Sequence, residues 1–250
     1  MRSSICRTAR LLMTSLSPND AVFVTPSHQV PTGVTMPMER RRQLLATAQE
    51  RDFLIVEDDY DFEMSFLHAP SPSLKSLDQT GRVIYVGSFS KALFPGLRIG
   101  HLVAPAPFIA EARRLRLLIL RHPPGHMQRT TAYFLALGHY DQLVRDMRIA
   151  FAERPTIAAR AIERVGLEVS GAATIGGTNL WVRGPDGLDA LRLANAARKS
   201  GVLIEPGTPF YDLPKGPVPF FRLAYSSIIT ERIEKDISLL ADRLHGGLQE

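Results

Sequence analysis

At 250 residues the chain is long enough to bury a sizeable core, as one large domain or as a domain with a smaller lobe. Hydrophobic residues make up 45% and charged residues 22%, the balance of a soluble globular chain, and no apolar run approaches membrane-span length. The net charge of +5 is spread along the sequence without a basic stripe or a Cys/His finger spacing, so direct nucleic-acid binding by this chain is not expected.

Cys6 is the only cysteine, which rules out an internal disulfide and fits a reducing, cytoplasmic compartment. The opening stretch to Leu16 carries Arg2, Arg7 and Arg10 with several hydroxyl residues and no acid before Asp20. It reads as transit-peptide-like, as an ordinary basic start, or as a start codon inside a longer ancestral frame. Residues 1–20 are left as a poorly defined segment.

Ala21-Val22-Phe23-Val24 predicts a buried strand running into the loop Thr25-Pro26-Ser27-His28. Leucine and alanine at helical spacing predict an amphipathic helix over 37–51. Phe53-Leu54-Ile55-Val56 predicts a second strand, ending in the acidic run Glu57-Asp58-Asp59-Tyr60-Asp61. A third, Val83-Ile84-Tyr85-Val86, leads into a lysine motif, and a fourth covers 99–104. Helices follow over 105–164, with a break at His122-Pro123-Pro124-Gly125 and a long helical stretch from Gln128 onward. Beyond Gly166 short strands are expected at 167–169, 179–182, 202–204 and 220–224, with helices over 188–199 and 230–244. The expected class is therefore α/β: a mostly parallel sheet with helices over 21–155, followed by a small α+β domain over 156–250. Residues that carry chemistry gather at strand C-termini, the edge at which open α/β sheets bind ligands.

The lysine motif is Val86-Gly87-Ser88-Phe89-Ser90-Lys91-Ala92-Leu93-Phe94-Pro95-Gly96-Leu97-Arg98. One amine follows an apolar run, with the hydroxyls of Ser90 and Ser88 before it and a guanidinium, Arg98, after it. Such an amine can form a Schiff base, and the hydroxyls and guanidinium can hold a phosphate dianion; together these are the needs of pyridoxal phosphate. Asp58 and Tyr60 lie two apart and face one side of an extended segment, with Asp59 and Asp61 on the other. A carboxylate can keep a pyridine nitrogen protonated and a phenol can donate to the ring oxygen. Alone, the acidic run also reads as a solvated loop or as a Mg²⁺ site.

Together these segments resemble the fold-type-I pyridoxal-phosphate aminotransferases of class I/II, and within them the aminotransferase-like domain of MocR/GabR-type regulators. The resemblance covers 21–247 and rests on Thr25-Pro26-Ser27-His28-Gln29-Val30-Pro31-Thr32-Gly33, the acidic run, Ser88-Phe89-Ser90-Lys91 with Pro95-Gly96-Leu97-Arg98, and Phe221-Arg222-Leu223. It implies Lys91 as the Schiff-base lysine and proton shuttle, Asp58 at the pyridine nitrogen and Tyr60 at the ring hydroxyl. Ser88, Ser90 and Arg98 would hold the phosphate, and Arg222 would clamp a substrate carboxylate; read without the family, Arg222 is an arginine paired with structural acids on an exposed strand. Where the family has an Asn-Pro-x-Gly turn, this chain has Val30 before Pro31, leaving His28 or Gln29 to supply the polar contact or to serve only as loop residues. No metal is called for.

The resemblance also implies an amino-acid or amine substrate, a homodimer when folded, and a cofactor domain that normally begins well before Ala21. The expectation is a fragment with exposed apolar sheet edges and weak cofactor binding, needing a partner chain to fold. Three functions stay open: an aminotransferase, a sensory domain that switches a DNA-binding partner, and a remnant with little activity. A lysine lyase without cofactor would leave Asp58, Arg98 and Arg222 without a joint explanation.

Overall fold

Runs of β-branched and aromatic residues form the first sheet, from β1 (Ala21–Val24), β2 (Leu54–Asp59), β3 (Val83–Ser88) and β4 (Gly100–Val103), in that order. β1, β2 and β3 are parallel and β4 is antiparallel to β3. The computed structural model describes residues 16–65, 70–171, 177–212, 214 and 216–246; the basic opening stretch and Cys6 lie outside them. Two compact units are present. One is built on Met36–Glu63 and Pro70–Val144 with the segment ending at Ser27; the other runs from Arg145 onward and includes His28–Thr35.

In the first unit, α1 (Met38–Arg51) turns Arg41, Leu44 and Ala48 inward at helical spacing. It ends at Asp52, whose left-handed backbone (φ 59°) lets its N–H donate to the Ala48 carbonyl. Leu44 and Ala48 pack with Phe53, Ile55, Leu74 and Val83, and Leu74 opens the short helix α2 (Leu74–Leu77). Arg41 is fully buried and donates to the carbonyls of Met36 (3.0 Å), Pro72 (3.0 Å) and Pro26 (2.8 Å). Its Nη1 lies 3.9 Å from Glu57, also fully buried. Glu57 in turn accepts from the N–H groups of Leu74 (2.7 Å) and Lys75 (2.8 Å). Every charge-bearing edge of this pair thus has a partner, the condition for holding an ion pair away from water.

This pair explains one departure from expectation. β2 runs on to Asp59, so Glu57, Asp58 and Asp59 are strand residues and not a loop beyond the strand. Glu57 and Asp59 face the buried side, where Arg41 and the α2 amides receive Glu57 and the Ser27 hydroxyl bonds to Asp59.

The expected long helical stretch divides. α3 (Ala106–Leu120) is followed by α4 (Gly125–Ala136), α5 (His139–Phe151) and α6 (Arg154–Arg164). Gly138 (φ 76°) closes α4, and Pro155 sits in the first turn of α6, where its missing N–H costs nothing. α3 has no buried residue, and Leu118 and Ile119 are 83% and 77% exposed. Both outer strands of the sheet also show apolar side chains, as expected: Phe23 on β1, Leu102 and Val103 on β4.

The second unit carries an antiparallel sheet of β5 (Glu168–Val169), β6 (Asn179–Arg183), β7 (Glu205–Pro206) and β8 (Phe220–Ala224), in the order β5-β6-β8-β7. Leu180, Val182, Phe221 and Leu223 form its core face with residues of α6, α7 (Ala190–Lys199) and α8 (Thr230–His245). The Asp189 side chain caps α7 by accepting from the N–H groups of Leu191 (2.9 Å) and Arg192 (3.4 Å). No strand forms over 202–204. The Val202 N–H is taken by the Ala197 carbonyl at the end of α7, and pairing to β8 begins only at Glu205.

Arg41→Met leaves Glu57 buried without its cation, and we expect it to lower the unfolding free energy by about 3–5 kcal/mol in urea denaturation followed by circular dichroism. Asp78 supplies a pH-dependent counterpart. Burial alone raises its carboxyl, but the N–H groups of Val83, Thr80 and Arg82 and the Lys75 ammonium outweigh that and hold it at about 2. Because the folded value is depressed, the stabilisation is present above the unfolded value of 3.8 and is lost as pH falls towards 2. Asp78→Asn is expected to cost about 1–2 kcal/mol at neutral pH and to flatten the stability profile between those limits.

Candidate active site

β2 and β3 lie side by side with Asp58 opposite Val86 and Asp59 opposite Gly87. The pleat sends Glu57 and Asp59 inward and leaves Asp58 exposed on the other face, with Tyr60 half-buried just past the strand end. β3 ends at Ser88, and its chain turns through Phe89 to Leu93: the Phe89 N–H donates to Ile99 (3.0 Å) and the Leu93 N–H to Phe89 (2.9 Å). Ser88 Oγ accepts from the Ser90 N–H at 3.2 Å, closing the loop locally. Ala92 and Leu97 are buried and anchor it, while Lys91, just before Ala92, is exposed. The Lys91 ammonium nitrogen lies 5.0 Å from the centroid of the Tyr60 ring, within cation–π range.

Arg98 follows a 3-10 turn over Pro95–Leu97 and holds a left-handed backbone (φ 52°), which costs a non-glycine residue about 1–2 kcal/mol. The Arg98 side chain is exposed. The approach of β4 to β3 needs glycine: a Cβ on Gly87 would sit 2.3 Å from the His101 ring, and one on Gly100 would sit 2.6 Å from the Gly87 carbonyl.

Beneath the loop lies a layer that the sequence did not announce. The Phe89 ring is 5.3 Å from His101 and meets Tyr140 edge-on at 5.7 Å; Tyr85 is 5.7 Å from His101. The Tyr140 hydroxyl donates to Glu63, and the Tyr85 hydroxyl to Asp59 at 3.4 Å. Burial, and then the Asp61 charge, raise the Asp58 carboxyl above its usual range. Asp59 is also raised, first by burial, against the Ser27 hydroxyl and Arg41. Glu57 is raised by burial, against the Leu74 and Lys75 amides. Among the described residues no group of three His, Cys, Asp or Glu side chains is placed to hold a metal ion, and no helix is long and apolar enough to cross a membrane.

The first unit therefore carries Asp58, Tyr60, Ser88, Ser90, Lys91 and Arg98. The remaining three singled-out residues lie in the second unit. His28 is 2% exposed with its ring against Gly177, and Gln29 closes the turn around Pro31: its N–H donates to Val34 (3.0 Å) and its carbonyl accepts from Gly33 (2.6 Å). Arg222 stands on β8, and its Nη1 donates to Glu205 Oε2 at 2.7 Å.

The profile described as Aminotransferase class I and II matches residues 9–237. The chain belongs to this family. It is an aminotransferase-like domain, and its relatives include regulators as well as enzymes. It is 54% identical over 223 residues to the HTH-type transcriptional regulator TauR of Rhodobacter capsulatus, covering 89% of this chain and 46% of the relative. It is 30% identical over 224 residues to aromatic-amino-acid aminotransferase 1 of Thermococcus litoralis, covering 89% and 54%. The chain thus spans about half the length of these curated relatives. Among solved structures it is similar to LysN, an α-aminoadipate aminotransferase of Thermus thermophilus complexed with N-(5'-phosphopyridoxyl)-L-leucine. That match has a TM-score of 0.86 and 29% identity, covering 96% of this chain and 62% of that one. The fold is that of the pyridoxal-phosphate aminotransferases, with the expected α/β large-domain sheet and small α+β unit.

The phenol layer gives a direct test. Burial, followed by the Asp59 charge for Tyr85 and by the Glu63 hydrogen bond for Tyr140, raises both phenols well above the usual tyrosine range. With folded values raised, their contribution to stability is present below the unfolded value of about 10 and is lost as pH rises past it. In an absorbance titration of the six tyrosines, Tyr85→Phe and Tyr140→Phe should leave the first ionisation step unchanged in size. Each should shrink the later step that accompanies alkaline unfolding.

Proposed function

We propose that this chain binds pyridoxal phosphate and an amino acid or amine, and that it serves as the effector-sensing domain of a MocR-type regulator. The observation that carries the reading is Lys91 over the Tyr60 ring, on the loop that leaves β3, with Asp58 on the neighbouring strand β2. The residues fit the cofactor. Asp58 stands on the outward face of β2, and partial desolvation at the strand end and then the Asp61 charge raise its carboxyl, so it would gain from a cationic partner such as a protonated pyridine nitrogen. Ser88, Ser90 and Arg98 present two hydroxyls and a guanidinium, a donor set matched to a phosphate dianion. Bound there, the cofactor supplies an electron sink for chemistry at the carbon bearing the ligand's amine.

The protein's own part is to place groups. Lys91 offers an amine that can hold or release a proton beside the ring face of Tyr60. Tyr60 offers a hydroxyl to the ring oxygen, and Arg222 a planar fork to a carboxylate. His28 and Gln29, at the Pro31 turn, are proposed as supporting cofactor contacts. Fixed backbone hydrogen bonds around Ser88, Phe89 and Leu93 hold the lysine loop before any ligand arrives, which reduces the ordering cost of binding.

The identity to a transcriptional regulator supports sensing. A second reading, turnover as an aminotransferase, is favoured by the similarity to an aromatic-amino-acid aminotransferase and uses the same residues. A cytoplasmic homodimer is proposed in either case, the exposed apolar residues of α3 being candidates for its interface.

Titration with pyridoxal phosphate followed by borohydride reduction tests the assignment. The wild-type chain should yield a reduced covalent adduct, and Lys91→Ala should lose it; an adduct of undiminished yield in the variant would sink the reading. Asp58→Asn should weaken cofactor binding by about tenfold while leaving the adduct on Lys91.

A further inference from the structure

The face of the second sheet turned away from its core carries Asn179, Trp181 and Arg183 on β6, opposite Ala224, Arg222 and Phe220 on β8, with Glu205 of β7 opposite Arg222. It is aromatic at one end: Trp181 stacks on Phe220 (5.7 Å, 7°) and takes Phe210 edge-on at 5.8 Å. Three polar atoms on this face, Asn179 Oδ1, Trp181 Nε1 and Arg222 Nε, are buried and have no hydrogen-bond partner among the described residues. Orphaned buried donors and acceptors are costly, and a row of them marks a surface built to receive something polar.

Arg222 is the charged member of the row, and its fork is divided. Nη1 is taken by Glu205 at 2.7 Å, while Nε is buried without an acceptor. Arg222 is 20% exposed and Glu205 49%. An ion pair with one half-exposed partner is held only loosely, because the displaced carboxylate returns to water at little cost. The guanidinium cannot, however, offer its full fork to a second carboxylate while Glu205 stays, since two carboxylates would share one cation.

We propose that Glu205 is a specificity-determining residue: by occupying Arg222 it competes with a ligand's carboxylate and shifts the preference of the site towards amines that present none there. This rests on the reading of Arg222 as the carboxylate clamp. With Glu205 in place the end of the site is close to neutral and accepts an amine without a carboxylate. A ligand carboxylate has to displace Glu205 into solvent and then gains a two-point contact along one edge of the guanidinium, the edge with the Nε–H that now has no acceptor.

The test uses the full 250-residue chain as wild type, Glu205→Gln, Arg222→Ala and the double variant. Acetate serves as a carboxylate probe on the cofactor-free chain, read by the side-chain Nε–H resonances of arginine-labelled protein. L-alanine and ethylamine are compared on the chain with pyridoxal phosphate, read by the change in its absorbance spectrum. Glu205→Gln should tighten acetate and L-alanine by about fivefold to tenfold and leave ethylamine within about twofold. Glu205→Gln should have no such effect once Arg222 is alanine. If Arg222→Ala weakens L-alanine but Glu205→Gln does not tighten it, the competition proposed for Glu205 is wrong and the clamp stands. Equal tightening in the Arg222→Ala background also overturns it, because Glu205 then acts without the arginine. If Arg222→Ala leaves L-alanine binding unchanged, the clamp reading fails and this inference fails with it.

Discussion

Arg41 and Glu57 form the point on which the first unit is assembled. Neither side chain reaches water, so their ionic groups have to be answered within the protein. Three carbonyls answer the guanidinium, and two amides at the start of α2 answer the carboxylate. Those five partners come from the loop before α1, the segment before α2 and α2 itself. The pair therefore fixes three pieces of chain against β2 with directional bonds, where apolar packing alone would set only their proximity.

The same anchoring sorts the chemistry of the acidic run. Once Glu57 is held inward, the pleat obliges Asp58 to face outward and Asp59 inward. One carboxylate, Asp58, is thereby left on the outward face, while Glu57 and Asp59 belong to the scaffold. Beneath the lysine loop a second polar layer repeats the pattern, with Tyr85 answered by Asp59 and Tyr140 by Glu63. Lys91 thus stands on a support whose hydrogen bonds are already made.

Much of this was legible in the residues. β-branched runs marked β1, β2 and β3, and the order of hydroxyl, lysine and guanidinium after β3 marked the lysine loop. Less legible were features that depend on partners distant in the chain. Arg41 lies in a run of three arginines that reads as a solvated helix face; only the leucine and alanine at its own helical phase hint that it turns inward. The extension of β2 through three acids contradicts strand propensity and is explained by Arg41, Ser27 and the α2 amides, none of which is local. Glu205 lies 17 positions from Arg222, and their contact appears only when β7 pairs with β8. Tyr140 is one aromatic on an amphipathic helix until Glu63 reaches it across 77 positions of sequence.

The glycine at position 87 has a consequence for observing the molecule. The His101 imidazole covers its Cα face, leaving no room for a Cβ, and that imidazole is itself close to the Tyr85 and Phe89 rings. The Gly87 protons therefore sit in the ring current of an imidazole whose tilt is set by the two residues flanking the path to Lys91. Their chemical shifts will move with small rotations of that stack. In the magnetic resonance spectrum this glycine is a built-in sensor of the lysine loop, needing no label attached to the site.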